Sequence, residues 1–314
     1  MLHVRAIFIL SAIFATFSSH AFCAGDADVA FARERNAQAK LAALEADRQK
    51  LYAEISATTE REQGGLERSR KISGLLARYE NLHSEFPENL AVEILFAKFL
   101  RDAGEDARAK TLLEDAEKRA PEIASVRQQL GAIFAEEGDF GNALPRLRKA
   151  VELEPGTCAY QFQLGEFLAT FRAGLLAGNF FADAAELDAA LQNAFRACVA
   201  VEPANINFRL RYALSFYDVE KPNWRAALFA WETFARLVAE KSAENPAGAE
   251  QSAEFAKIHL ARVHAELGEF ASAETLLAES ESSRFSRARE EIRKIIFQKK
   301  QILPRAFTNK NGNS

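Results

Sequence analysis

The sequence predicts an all-α chain assembled from repeated helix–turn–helix units. Three observations carry that expectation. Pro87, Pro121 and Pro155 stand 34 residues apart, twice over. The two segments between them match position by position. The composition also suits helices: Ala is plentiful, Gly numbers 15 and Pro 8 in 314 residues, and no alternating apolar–polar run exceeds a few residues.

Each matched position has a physical reason. Ala97 answers to Gly131, a small residue that lets two helices approach closely, and Leu100 to Phe134, a large apolar residue that fills the space beside it. Gly104 and Gly138 end the first helix of each unit and turn the chain. Ala109/Ala143, Leu113/Leu147 and Ala116/Ala150 form the seam that returns the second helix onto the first. Proline closes the unit because it cannot continue the helix.

These residues resemble the tetratricopeptide repeat, a 34-residue helix–turn–helix unit. The resemblance implies a right-handed solenoid over 66–283, with clear repeats at 90–121 and 124–155 and degenerate ones at 158–203, 206–240 and 254–283. The third repeat carries Leu164-Gly165 and Leu168, but its closing Pro203 lies 48 residues after Pro155, so about fourteen residues are inserted near 170–184. Tyr212-Ala213, Phe216, Trp224, Ala227 and Trp231 mark the fourth, and Leu260-Ala261, His264, Gly268, Phe270, Ala273 and Leu277 the fifth. The insertion places Leu175, Leu176, Phe180 and Phe181 between glycines. Either they extend the two helices and pack inward, or they protrude as an apolar contact.

The flanks are of a different kind. Residues 1–24 hold Arg5, an apolar run from Ala6 to Phe17 and a small-residue region, the layout of a secretory signal peptide cleaved near 21–24. The run is too short to span a bilayer. Phe22 and His20 occupy the places where a lipoprotein signal has a small residue and Leu, so Cys23 is not expected to be lipidated. Residues 26–63 read as one long polar helix. Leu41, Leu44, Leu51 and Ile55 fit a heptad seam that Arg48 interrupts. Either the helix turns at Gly64-Gly65 and caps the array over Leu66–Phe86, or it pairs with a second copy as a coiled coil. Residues 284–303 are expected to be a capping helix and 304–314 a disordered tail. From Arg284 to Lys310 nine Lys or Arg oppose Glu290 and Glu291, a basic face read as solvation of the array's end.

The formal charge is −4, and −5 once residues 1–24 are removed with Arg5, which argues against a general nucleic-acid binder. No catalytic signature, phosphate loop, metal-ligand spacing or cofactor motif is present, and no catalytic, metal or cofactor residues are assigned. His259 and His264 are five apart, on different faces of a helix. Cys158 and Cys198 open and close the third repeat, so a disulfide is geometrically available, although free cysteine is also a common buried filler.

What remains is binding. The resemblance implies a concave groove lined by the first helices, with Ile94, Lys98, Arg101, Gln128, Phe162, Glu166, Leu210 and Tyr217 as partner-binding residues. Ile94 and Lys98 do not supply the family's Lys and Asn clamp for a terminal carboxylate. The expected function is an exported, periplasmic or secreted, non-catalytic scaffold that binds a protein or peptide, with no nucleic acid and no membrane span in the mature chain. The alternative is a self-assembling structural protein, or a cell-division or envelope-assembly coordinator, that forms homo-oligomers through its N-terminal helix.

Overall fold

The computed structural model describes residues 24–57, 64–242, 246–280 and 282–308, with side chains over 32–55, 67–242, 248–280 and 282–301. Residues 1–23 of the expected signal peptide, residues 58–63, 243–245 and 281, and those after Thr308 lie outside this set. The described residues form helices, with no strand among them, and the chain divides into two compact units between Pro155 and Gly156.

The first unit holds three helical hairpins. Helix α1 (Ala24–Ala57) and α2 (Gly64–Glu85) make the first, α3 (Leu90–Asp102) and α4 (Asp106–Arg119) the second, α5 (Ala124–Glu136) and α6 (Phe140–Leu153) the third. Helices α3 and α5, and likewise α4 and α6, begin 34 residues apart, so the sequence period is the structural period. The turns repeat as well. Gly104 sits at φ +83° and Gly138 at φ +78°, the left-handed region where a Cβ is strained. In both, the amide after the glycine reaches back five residues: Glu105 donates to Leu100 O at 2.8 Å and Asp139 to Phe134 O at 2.8 Å. That is the Schellman closure of a helix. Asn89 caps α3 and Asp139 caps α6, accepting from Val92 N and Asn142 N.

Helix separation is set by the small residue in the middle of the first helix. A Cβ on Gly131 would stand 2.8 Å from Leu147 Cγ and 3.2 Å from Leu147 N. Ala97, Ala109, Leu113, Ala116, Ala143 and Ala150 are all fully buried along the matching seams. Charge ties one hairpin to the next: Glu117 of α4 accepts from Arg127 of α5 at 2.7 Å and from Arg146 of α6 at 3.0 Å. Glu93, buried in α3, pairs with Arg119 of α4.

Helix α1 is a cap. As α1 runs from Lys40 to Asp47 to Glu54, its ion-pair partners on α2 run backward from Glu85 to Arg78 to Lys71. That descending register is an antiparallel hairpin. Leu41, Leu44 and Leu51 are buried within it. Arg48, which interrupts the heptad seam, is buried too. It grips Glu45 at 2.7 Å and reaches Asp102 of α3 at 3.0 Å, while the Tyr79 hydroxyl of α2 donates to Glu45.

The second unit begins with α7 (Cys158–Thr170), a short α8 (Arg172–Ala177) and α9 (Ala184–Val201). Gly165 repeats the role of Gly131, but its missing Cβ faces the Phe195 ring, at 2.7 Å. Gly131 meets a residue sixteen positions on and Gly165 one thirty positions on; the difference is the fourteen-residue insertion. It is spent on α8, on the turn at Asn179 (φ 56°) and on four further residues in α9, which has 18 against the 14 of α6. Leu175 and Phe181 are buried and Leu176 and Phe180 half-buried, so these side chains pack inward. Asp188 fixes the extension, accepting from Arg172 Nε at 2.9 Å and Glu220 N at 2.7 Å.

Helices α10 (Ile206–Ser215) and α11 (Trp224–Glu240) form the next hairpin, and α12 (Pro246–Leu267) and α13 (Phe270–Ala278) the last, with the same left-handed glycine turn at Gly268. Trp231 is fully buried among Ala213, Phe216, Phe234 and Val263. After a 3-10 turn, α14 (Ser286–Thr308) buries Ile292 and Ile296 against Ala261, Ala265 and Leu277 of α12 and α13. It runs five residues past the expected end at 303.

Substitutions at four positions test these contacts. Gly131→Ala should lower the urea unfolding free energy by about 1–2 kcal/mol, because overpacking against Leu147 exceeds the ~1 kcal/mol gain in helix propensity. Gly74→Ala, exposed in α2 with open space around its Cβ, should raise it by up to ~1 kcal/mol. Arg48→Met should cost about 3 kcal/mol by stranding the buried Glu45 carboxylate, and Glu45→Leu in the same chain should restore most of that loss.

Candidate partner-binding faces

The faces are built from the first helix of each hairpin, α3 and α5 in one unit and α7, α10 and α12 in the other. In the first unit, the predicted row is only partly a surface. Ile94 is 4% exposed and belongs to the core, so it is withdrawn as a contact residue. Its position points between helices because α2 and α4 flank α3 on both sides. Lys98 is half-buried one turn on, and burial, reinforced by the Arg48 guanidinium, holds its amine below the usual lysine value. Arg101 is engaged with Glu136 of α5 at 2.9 Å and Asp106 at 3.5 Å. Gln128 is half-buried on α5. The residue that the spacing alone does not reveal is Arg48, which acts on Lys98 from α1 together with Asp102 of α3. The signal was present in Arg48, a charged residue at a core position of a heptad.

In the second unit, Phe162 and Glu166 of α7 come together with α10. Phe162 packs edge-on to Phe195 at 5.7 Å and against Phe208 at 5.6 Å. Glu166 pairs with Arg211 Nε, and Arg211 also binds Asp218 at 2.8 Å. The same guanidinium lies 4.1 Å over the Phe195 ring, so a cation is held by two carboxylates and a π-face. Arg211 and Glu166 are 45 residues apart, and no spacing rule links them.

Leu210 and Tyr217 serve a different purpose from the one expected. Leu210 packs against the cluster around Trp231. The Tyr217 ring sits between Trp224, at 6.0 Å, and His259, at 5.4 Å, with the Arg262 guanidinium 4.6 Å above it. Its hydroxyl bonds His259 Nδ1 at 3.1 Å. His259 in turn stacks on Trp231 at 4.2 Å, nearly parallel. Both residues are half-buried and take part in the packing between α10, α11 and α12. His264, on another face of α12, bonds Glu269 at 2.7 Å instead.

Cys158 and Cys198 are buried and unbridged. Cys198 Sγ donates to Cys158 O at 3.2 Å and Cys158 Sγ to Cys198 O at 3.7 Å. Among the described residues no three His, Cys, Asp or Glu gather in a way that would hold a metal ion. None of the described helices is long and apolar enough to cross a membrane.

Helices α3, α5 and α7 begin 34 residues apart, and the left-handed glycine turns and small-residue seams are those expected from the tetratricopeptide resemblance. No protein-family model and no curated protein matches the sequence. Among solved structures, the chain is similar to YrrB, described as a TPR protein with an unusual peptide-binding site. The two share 13% identity at a TM-score of 0.49, over 71% of this chain and 97% of that one. It is similar to MamA at 15% identity and a TM-score of 0.42, over 58% and 98%. A mutant O-GlcNAc transferase from Thermobaculum terrenum matches at 18% and 0.37, over 47% of this chain and 26% of that one.

Half-buried His259, enclosed by Trp231, Phe255 and Tyr217, makes the second unit sensitive to acid. Burial, with Arg262 adding to it, pushes the imidazole from 6.5 down to about 4. The unfolded chain therefore binds a proton near pH 6.5 that the folded chain refuses until about pH 4. The contribution is complete above pH 6.5 and is lost as pH falls through that window. Relative to pH 7, the wild type should lose about 2 kcal/mol more unfolding free energy at pH 5 than His259→Gln does. Urea titrations of both proteins at the two pH values measure it.

Proposed function

We propose that this chain is a non-catalytic scaffold of the cell envelope, exported by removal of residues 1–24, which binds an extended segment of a protein partner on the first-helix faces of its repeats. The observation that carries the reading is the row on α7 and α10. Phe162 and Phe208 supply an apolar, half-buried strip, and Glu166 and Asp218 stand beside it with carboxylates 40% and 35% exposed. Arg211 holds both acids in place without covering them. Such a row suits a peptide with an apolar side chain followed by a donor-bearing or cationic one. Self-association through α1 is less well supported, because the seam it would use is occupied inside the first hairpin by Leu41, Leu44 and Leu51 packed over α2.

Selection of peptides from a displayed random library on the purified chain tests this. Peptides taken up by the wild type should bind Phe162→Ala and Glu166→Gln/Asp218→Asn at least 10-fold more weakly, a loss of about 1.4 kcal/mol. The circular dichroism of each variant should stay unchanged. Selected peptides that bind both variants within twofold, or a library that yields none, would remove the α7–α10 row as the working surface.

A further inference from the structure

We propose that Cys158 and Cys198 are joined by a disulfide in the working protein, as a staple for the hairpin that carries the insertion. The inference is independent of which face binds the partner. Cys158 is the first residue of α7, and Cys198 lies in the last turn of α9, where Glu202 N closes the helix on its carbonyl. The helices are antiparallel, so the two residues share the end of the hairpin opposite to the insertion. Each thiol donates to the other residue's carbonyl, at 3.2 and 3.7 Å, which lays the two Cβ–Sγ arms side by side between the two backbones.

The location has a physical use. The hairpins at Gly104, Gly138 and Gly268 are closed by tight left-handed glycine turns. The α7–α9 hairpin has α8 and an added loop instead, so its turn restrains the helix pair less. A bond 40 residues apart in sequence removes conformational freedom from the unfolded chain and ties the open end.

The chemistry needs an external disulfide, such as glutathione disulfide or the disulfide of an oxidoreductase. One protein thiolate attacks a sulfur of that disulfide and expels one thiol. The second protein thiolate attacks the protein sulfur of the mixed disulfide and expels the other. Two protein thiols are oxidised, one disulfide is reduced, and two thiols leave with the two electrons. In the folded chain burial pushes Cys158 up to about 11 and Cys198 to about 12, so thiolate is scarce there. The bond therefore forms as the hairpin closes during folding rather than by attack on the finished fold.

The experiment uses the full chain with Cys23→Ser, refolded from urea in a glutathione/glutathione disulfide buffer. Intact mass should fall by about 2 Da, the two hydrogens lost on oxidation, and denatured protein should take up no alkylating reagent. The bridged form should melt on the order of 5–10 °C above the reduced form. Adding Cys158→Ser or Cys198→Ser should abolish both the mass change and the shift. Two alkylatable thiols after refolding, or glutathione on each cysteine with no bridge, would overturn the proposal. A bridged protein that melts with the reduced one would overturn the stapling role.

Discussion

The hairpins depend on how closely two helices can approach, and that distance is set by an absence. Gly131 leaves room that Leu147 fills, and Gly165 leaves room that the Phe195 ring fills. Buried Ala97, Ala109, Ala143 and Ala150 continue the same narrow seam. With no large side chain at the crossing, dispersion contacts run backbone to side chain along the helix pair, and the packing is dense. Everything built on the outer faces takes its position from that spacing.

Ionic contacts do a second job. The apolar seam alone would let neighbouring hairpins slide, since aliphatic contacts are not directional. Glu117 grips arginines of two successive helices, Arg101 reaches Glu136, and Arg48 joins Glu45 to Asp102. The buried members of these sets cost desolvation, so their value lies in fixing register more than in raising stability. Arg48 shows it most clearly. A leucine there would continue a smooth heptad that tolerates a second chain, whereas the paired arginine fits only beside Glu45, Tyr79 and Asp102 of its own unit.

Much of the fold was legible because periodicity is a statement about faces. The 34-residue step located the glycine turns, the small-residue seams and the size of the insertion, each of which depends on local sequence. The candidate site was less legible. A position in a repeat tells which way a side chain leaves its helix, but not what meets it there. Ile94 occupies a groove position and is enclosed by its neighbours. Tyr217 does so too, and is claimed by His259, Trp224 and Arg262. Arg211 was overlooked because its partners Glu166 and Asp218 come from different helical positions with no shared period. The expected export signal and the proposed disulfide belong to a third category, since one would act before folding and the other would depend on an oxidant outside the chain.

The polar row on α7 and α10 has a property that bears on recognition. Arg211 uses one oxygen of Glu166 and one of Asp218. A carboxylate has about four acceptor sites, so the two acids keep capacity for donors from outside. One cation between two anions leaves the group with a net charge of −1 beside the Phe162 and Phe208 rings. An incoming amide or ammonium would therefore meet acceptors already oriented, and the entropy of ordering them is lost on folding rather than on binding. A carboxylate-bearing segment would meet that residual negative charge, with Arg211 already turned inward to its two acids. A face of this kind would discriminate by charge sign before it discriminates by shape.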